Sequence, residues 1–156
     1  MHSHDPQSAF LVPLPTLQRV HNDDFAEYEN LDVEGRFVGL KSGNAWLVRA
    51  VGEIDLDTAK KLERTIGGML DADCLSVIVN VEDVSYIDST GLGVLAKAGN
   101  RVRAKGKQLC LVSPSPQMRR VIFSAALGSL IGLFDNEERA FEAVNRALAS
   151  SAREPS

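Results

Sequence analysis

From Arg36 onward the chain alternates between two apolar rhythms, one of period two and one near 3.6, and the switches between them lay out its elements. Arg36–Leu40 and Ala45–Val51 read as short strands joined through Ser42-Gly43-Asn44, a hairpin turn in which glycine supplies the positive φ that other residues resist. Ala59, Leu62, Ile66 and Met69 then recur at helical spacing while Lys60, Lys61, Glu63 and Arg64 take the other face, which predicts a helix capped by Asp57. Leu75–Val81 is almost wholly aliphatic, the pattern of a strand covered on both faces. A second helix over Thr90–Ala104 carries Leu92, Leu95, Ala98 and Val102 on one stripe and stops at Gly106. After a strand at Gln108–Val112, Ser115 and Pro116 suit the N-cap and first position of a third helix, with Met118, Val121, Ile122 and Ala125 turned inward. Leu130–Phe134 is the last strand. Asp135 and Glu138 form a capping-box pattern ahead of a fourth helix built on Phe141, Val144 and Leu148.

The order is ββαβαβαβα. A hairpin followed by helical crossovers, each returning the chain in the same direction, gives an α/β class: a mostly parallel mixed sheet with an N-terminal hairpin and about four helices. The pattern assigns residues 36–149 to one domain and 150–156 to a tail. Residues 1–35 carry Pro6, Pro13 and Pro15 without periodicity, and residues 1–40 hold two cations against seven anions, so the start of the chain reads as an acidic, flexible arm.

Composition narrows the function. With 44% hydrophobic and 24% charged residues the chain is of ordinary globular type, and a net charge of −4 offers no footprint for nucleic acid or an anionic membrane. No secretion signal is legible and no apolar run approaches the ~20 residues that cross a bilayer, so a cytoplasmic protein is expected. Cys74 and Cys110 lack metal-ligand spacing and read as buried free thiols; His2 and His4 form a pair without a scaffold. No metal or cofactor is expected.

The segment richest in chemistry is Tyr86-Ile87-Asp88-Ser89-Thr90-Gly91-Leu92-Gly93, between a strand and a helix. Asp, Ser and Thr at such a junction are helix caps first, yet the junction also lies at the carboxyl end of a parallel sheet, where ligands bind. A phosphate there would meet backbone N–H groups and a favourable helix dipole. A hydrolase nucleophile at Ser89 fails, because Ile87 stands where Gly-x-Ser-x-Gly needs glycine and His2, His4 and His21 all sit in the arm. An aspartic-protease motif fails at Thr90, which separates Ser89 from Gly91. Gly91-Leu92-Gly93-Val94-Leu95-Ala96 matches a loose dinucleotide fingerprint, but the acid required about 20 residues further on is missing from Cys110–Ser113. Glu53 and Asp55 read as a solvated loop beside the Asp57 cap. The basic run Lys97, Arg101, Arg103, Lys105 and Lys107 reads as a solvated helix face, and Trp46 as core.

Gly52-Glu53-Ile54-Asp55 and Asp88-Ser89-Thr90-Gly91-Leu92-Gly93, at this separation and in this order of elements, resemble the signatures of the STAS-domain anti-sigma factor antagonists. The resemblance extends over about residues 36–149, with one departure in the third helix, where the usual Phe-x-x-x-Gly-Leu becomes Phe123-Ser124-Ala125-Ala126-Leu127-Gly128. It implies a STAS-like sandwich and a binding protein, not an enzyme. The unphosphorylated form would bind an anti-sigma factor, a serine kinase of the histidine-kinase-like ATPase fold, and release its sigma factor. Phosphorylation at Ser89 would end binding and a protein phosphatase would reverse it. Glu53, Asp55, Asp88, Thr90 and Gly91 would form the partner-binding surface. Rival expectations are an accessory STAS subunit of a lipid-transport ATPase or anion transporter, and a nucleotide-binding protein.

Overall fold

The computed structural model describes residues 27–28 and 37–153. Its strands are β1 (Glu27–Tyr28), β2 (Phe37–Ser42), β3 (Ala45–Ile54), β4 (Ser76–Ile87), β5 (Leu109–Val112) and β6 (Ile131–Phe134). Its helices are α1 (Leu56–Ala72), α2 (Ser89–Arg103), α3 (Pro116–Ser124) and α4 (Glu137–Arg153). The strands form one sheet in chain order, β1-β2-β3-β4-β5-β6. β1, β2 and β3 pair antiparallel, while β3 through β6 run parallel.

The expected hairpin closes at Ser42↔Ala45, with Gly43 at φ +56 in the turn. Beyond it, β1 is a strand where the sequence shows only the acidic arm: Glu27 faces Lys41 in register and Tyr28 faces Leu40. Two residues carry no readable period. Arg36 and most of the arm lie outside the described residues.

β4 runs on to Ile87, six residues past the aliphatic stretch that predicts it. From Asn80 to Asp83 it advances three residues while β3 advances two, from Arg49 to Val51, and it gains another between Val84 and Tyr86 opposite Gly52 and Glu53. These bulges leave Glu82, Asp83 and Ser85 exposed and break the alternation. Gly52, at φ +92, makes the irregularity possible on the β3 side.

Helices α1, α2 and α3 cover one face of the sheet, where Leu62, Met69, Leu95, Val102 and Ile122 pack on Trp46, Val48, Val79 and Leu111. α4 covers the other, placing Ala140 and Val144 against Leu47, Ile78 and Cys110. Trp46 is core, as its alternation predicts, and its indole N–H donates to the carbonyl of Asp73 at 2.8 Å. Covered on both faces, β5 is buried along its whole length.

Three local readings are corrected. Asp55, not Asp57, caps α1, because Asp55 Oδ1 accepts from the N–H groups of Asp57 and Thr58, each at 3.1 Å. At α4 the cap is Asn136, whose Oδ1 accepts from Arg139 N at 2.8 Å, so the Asp135/Glu138 capping box does not form. On α3 only Met118 and Ile122 face the core; Val121 and Ala125 are exposed. A helix of two and a half turns buries one narrow stripe, and Val121 stands about 100° around the axis from Ile122. The Ser115 cap forms as expected, accepting from Met118 N at 3.0 Å. Gly106, at φ +75, ends α2 with paired bonds from Lys107 N to Val102 O and from Gly106 N to Arg103 O.

Candidate functional site

Two strand-to-helix junctions stand side by side at the carboxyl end of the parallel strands. The final pair of β3 and β4 is Ile54↔Ile87, and one residue later each chain turns into a helix through an aspartate. At the first junction Asp55 and Thr58 cap reciprocally: Asp55 N donates to Thr58 Oγ1 at 2.8 Å, and the Thr58 hydroxyl also reaches Asp55 Oδ1 at 3.0 Å and the Glu53 carbonyl at 2.7 Å. The Thr58 backbone N–H and hydroxyl above all, with the Asp57 N–H, favour the ionised carboxylate and hold the Asp55 carboxyl below its ordinary value against the opposing effect of desolvation.

At the second junction Asp88 Oδ1 accepts from Gly91 N at 3.0 Å and its carbonyl accepts from Leu92 N, which fixes the first turn of α2. Ser89 is the first helical residue and is exposed; Thr90 behind it is half-buried. Gly91 is buried between the two strand ends: a Cβ there would stand 2.7 Å from both Ile54 Cγ2 and Ile87 Cγ1. That close approach, not turn freedom, requires the glycine, and it lets the two junctions sit together. The candidates Glu53, Asp55, Asp88, Ser89, Thr90 and Gly91 therefore share one end of the sheet, with Glu53 beside Tyr86 in register.

This arrangement offers a hydroxyl on a helix N-terminus among carboxylates. First-turn N–H groups and the helix dipole favour an anion on that hydroxyl, whereas Asp88 and Asp55 oppose negative charge close by. Among the described residues no cluster of three His, Cys, Asp or Glu side chains could hold a metal ion. The pair His2 and His4 lies outside the described residues.

Other sequence candidates fall elsewhere. The basic run is partly engaged within the fold, since Lys97 pairs with Glu63 and Arg101 with Asp71 at 2.6 Å, each tying α2 to α1 across an open cleft of about 480 Å³ floored by Ile66, Leu70, Val94 and Ala98. Cys110 is the buried thiol expected, its pKa pushed up to about 12 by desolvation, while Cys74 is only half-buried beneath the edge of the core. Exposed Leu56 and Tyr86 at the junctions escaped the pattern, which reads apolar residues as core; the polar neighbours Asp55, Asp57 and Ser85 are the signal that could have marked them.

The fold and site define a class first: an α/β domain that presents a serine at a capped helix start at the carboxyl end of the parallel strands of a mixed sheet. Residues 40–140 match the model of the STAS domain. The chain belongs to the STAS domain family. An anti-sigma-B factor antagonist of Staphylococcus aureus is 30% identical over 91 residues, 58% of this chain and 84% of that protein. Among solved structures, an anti-sigma factor antagonist from Mycobacterium paratuberculosis is similar at 26% identity and a TM-score of 0.63, covering 70% of this chain and 92% of the other. The Bacillus cell fate determinant SpoIIAA in its phosphorylated form is similar at 25% identity and a TM-score of 0.58, covering 69% and 98%. No described helix is long and apolar enough to cross a membrane.

Proposed function

We propose that the chain is an anti-sigma factor antagonist controlled at Ser89. In this reading its unphosphorylated form binds an anti-sigma factor that is itself a serine kinase of the histidine-kinase-like ATPase fold, and thereby frees a sigma factor. Phosphate on Ser89 ends the binding and a protein phosphatase restores it. Glu53, Asp55, Asp88, Thr90 and Gly91 form the surface around the acceptor. The observation that carries the reading is the exposed Ser89 hydroxyl at the first position of α2, directly after the Asp88 cap and next to the Asp55 junction. The names of the relatives support it, and SpoIIAA has been described in both unphosphorylated and phosphorylated forms.

The switch follows from charge. A phosphoserine adds about −1.5 to −2 charges beside Asp88 and Asp55, all of which lose water when the face docks. Crowding like charges in a drying interface costs several kcal/mol, enough to change affinity by orders of magnitude. The backbone need not move, because the α2 N-terminus accommodates the phosphate. Incubation with the anti-sigma factor kinase and ATP is expected to place phosphate on Ser89, with Ser89→Ala unmodified and binding constitutively and Ser89→Glu binding weakly. Phosphate on another residue, with both variants binding like the parent, overturns the reading.

A further inference from the structure

The large hydrophobic side chains left exposed among the described residues are Leu56 at 57%, Tyr86 at 53%, Val121 at 36% and Phe123 at 64%. Phe123 lies over Gly128, where a Cβ would stand 3.2 Å from its ring, and does not line the cleft that Tyr86 and Val121 share. The others belong to the carboxyl end of the sheet. Tyr86 is two residues before the Asp88 cap, Leu56 directly follows the Asp55 cap, and Tyr86 and Val121 both line a small cleft between β4 and α3. The buried Ile87 and Met118 line it with them, as do the exposed Ser85, Ser115 and Gln117.

We infer that the Tyr86–Val121 cleft is the anchoring pocket of the docking face and takes one apolar side chain protruding from a basic surface of the anti-sigma factor. This deepens the function proposed above and rests on it. The cleft holds about 50 Å³, far below the roughly 300 Å³ or more of a small-molecule pocket, so it suits the tip of a single side chain. A tyrosine with half its surface bare is the residue type that dominates protein interfaces, because its ring supplies apolar area at little entropy cost and its hydroxyl tolerates the wet rim. Charge selects the partner. Glu53 lies beside Tyr86 in register, and Asp55, Asp57 and Asp88 complete an acidic border, with Glu53 and Asp57 exposed. Arg120, exposed on α3 next to Val121, closes the border on the other side, so the complement is an apolar protrusion flanked by lysine or arginine where it meets Glu53 and Asp57.

The anchor and the switch are separate parts of one face. Tyr86 and Val121 supply affinity in either phosphorylation state, whereas Ser89 sets the sign of the electrostatics. Their losses should therefore multiply.

The anti-sigma factors of the source cell, expressed one at a time, provide the probe for titration calorimetry against the full chain and its variants, with thermal melts confirming that each variant folds. Tyr86→Ala and Val121→Asp are each expected to weaken binding by about tenfold or more, while Phe123→Ser leaves it within twofold. Combining Tyr86→Ala with Ser89→Glu should give the product of the two losses, and added salt should weaken the parent complex. If Tyr86→Ala and Val121→Asp bind within twofold of the parent while Ser89→Glu still loses affinity, the anchor is overturned and the switch stands. Phe123→Ser costing as much as Tyr86→Ala also overturns the anchor. Failure of every anti-sigma factor to bind the parent overturns both.

Discussion

The backbone N–H of Asp88 donates to the carbonyl of Ile54 at 3.1 Å, so the residue that caps α2 is bonded to the residue just before the cap of α1. One hydrogen bond thus holds two helix starts in fixed relation, and Gly91 fills the remaining gap. A methyl group at Gly91 would press on Ile54 and Ile87 from 2.7 Å, with strand backbone behind both. Gly91→Ala is expected to cost about 1–3 kcal/mol in urea unfolding and to displace the start of α2. An unchanged denaturation midpoint would show that the junctions have slack that the packing does not reveal.

The Asp88 side chain separates into a cap and a charge. Asp88→Ala removes the acceptor for Gly91 N and should lower stability by about 1 kcal/mol, whereas Asp88→Asn keeps an acceptor and should be close to neutral. Thermal melts of the two variants decide this. Equal losses would mean that the carboxylate charge, not the hydrogen bond, secures α2.

Glu137 makes the fold sensitive to acid. It receives Arg49 Nε at 3.0 Å, Arg49 Nη2 at 2.9 Å and Asn80 Nδ2 at 2.6 Å, clamping the start of α4 to β3 and β4. Burial alone would raise its pKa, but the bonds from Arg49 and Asn80 and the charge of Arg49 outweigh burial and leave it below the ordinary 4.5. A lowered folded value means that the stabilisation is complete above the unfolded pKa and is lost as pH falls through the folded one. Glu137→Ala should cost about 1–2 kcal/mol at neutral pH, with the gap to the parent narrowing toward pH 3. A gap of constant size across a pH series of urea titrations would contradict the ion-pair account.

Among the described residues, two other than glycine adopt left-handed backbone, and they should answer differently to glycine. Ala126, at φ +60, closes α3 with bonds from Leu127 N to Ile122 O and from Ala126 N to Phe123 O, the geometry that glycine serves best. Ala126→Gly is expected to stabilise by about 0.5–1 kcal/mol, since relief of the Cβ clash exceeds the added chain entropy. Ser113, at φ +57, donates its hydroxyl to the Asp135 carbonyl at 2.8 Å, so Ser113→Gly loses about as much as it gains. Chemical denaturation of the pair checks the contrast.

Where pattern and burial coincide, the sequence is a sufficient guide. Ala59, Leu62, Ile66 and Met69 of α1 are all buried as their spacing predicts, and the hairpin turn, the Ser115 cap and the class of sheet follow from local chemistry. What escapes is set by distant contacts. Asp55 and Asp57 are both competent caps, and the register of Ile54 against Ile87 decides between them by ending β3 at Ile54. The bulges of β4 lie opposite Arg49–Val51 and Gly52–Glu53, and no period marks them. The serine-bearing motif is readable as a helix start, but its closeness to Asp55 depends on strands whose facing residues lie 33 positions apart, Ile54 against Ile87. Exposure of Val121 is invisible for the same reason: an apolar residue in a helix as short as α3 carries no sign of which side its neighbours leave bare.

The sheet grows in the order in which the chain is synthesised, each new strand adding beside the one made just before it. A chain emerging from the ribosome as far as Arg103 already holds β3, β4 and both aspartate-capped helix starts, so the serine face can assemble before the last third of the molecule exists. Glu137 arrives late and bolts α4 across β3 and β4, strands laid down long before, so a truncation ahead of it would leave the front of the molecule without its latch.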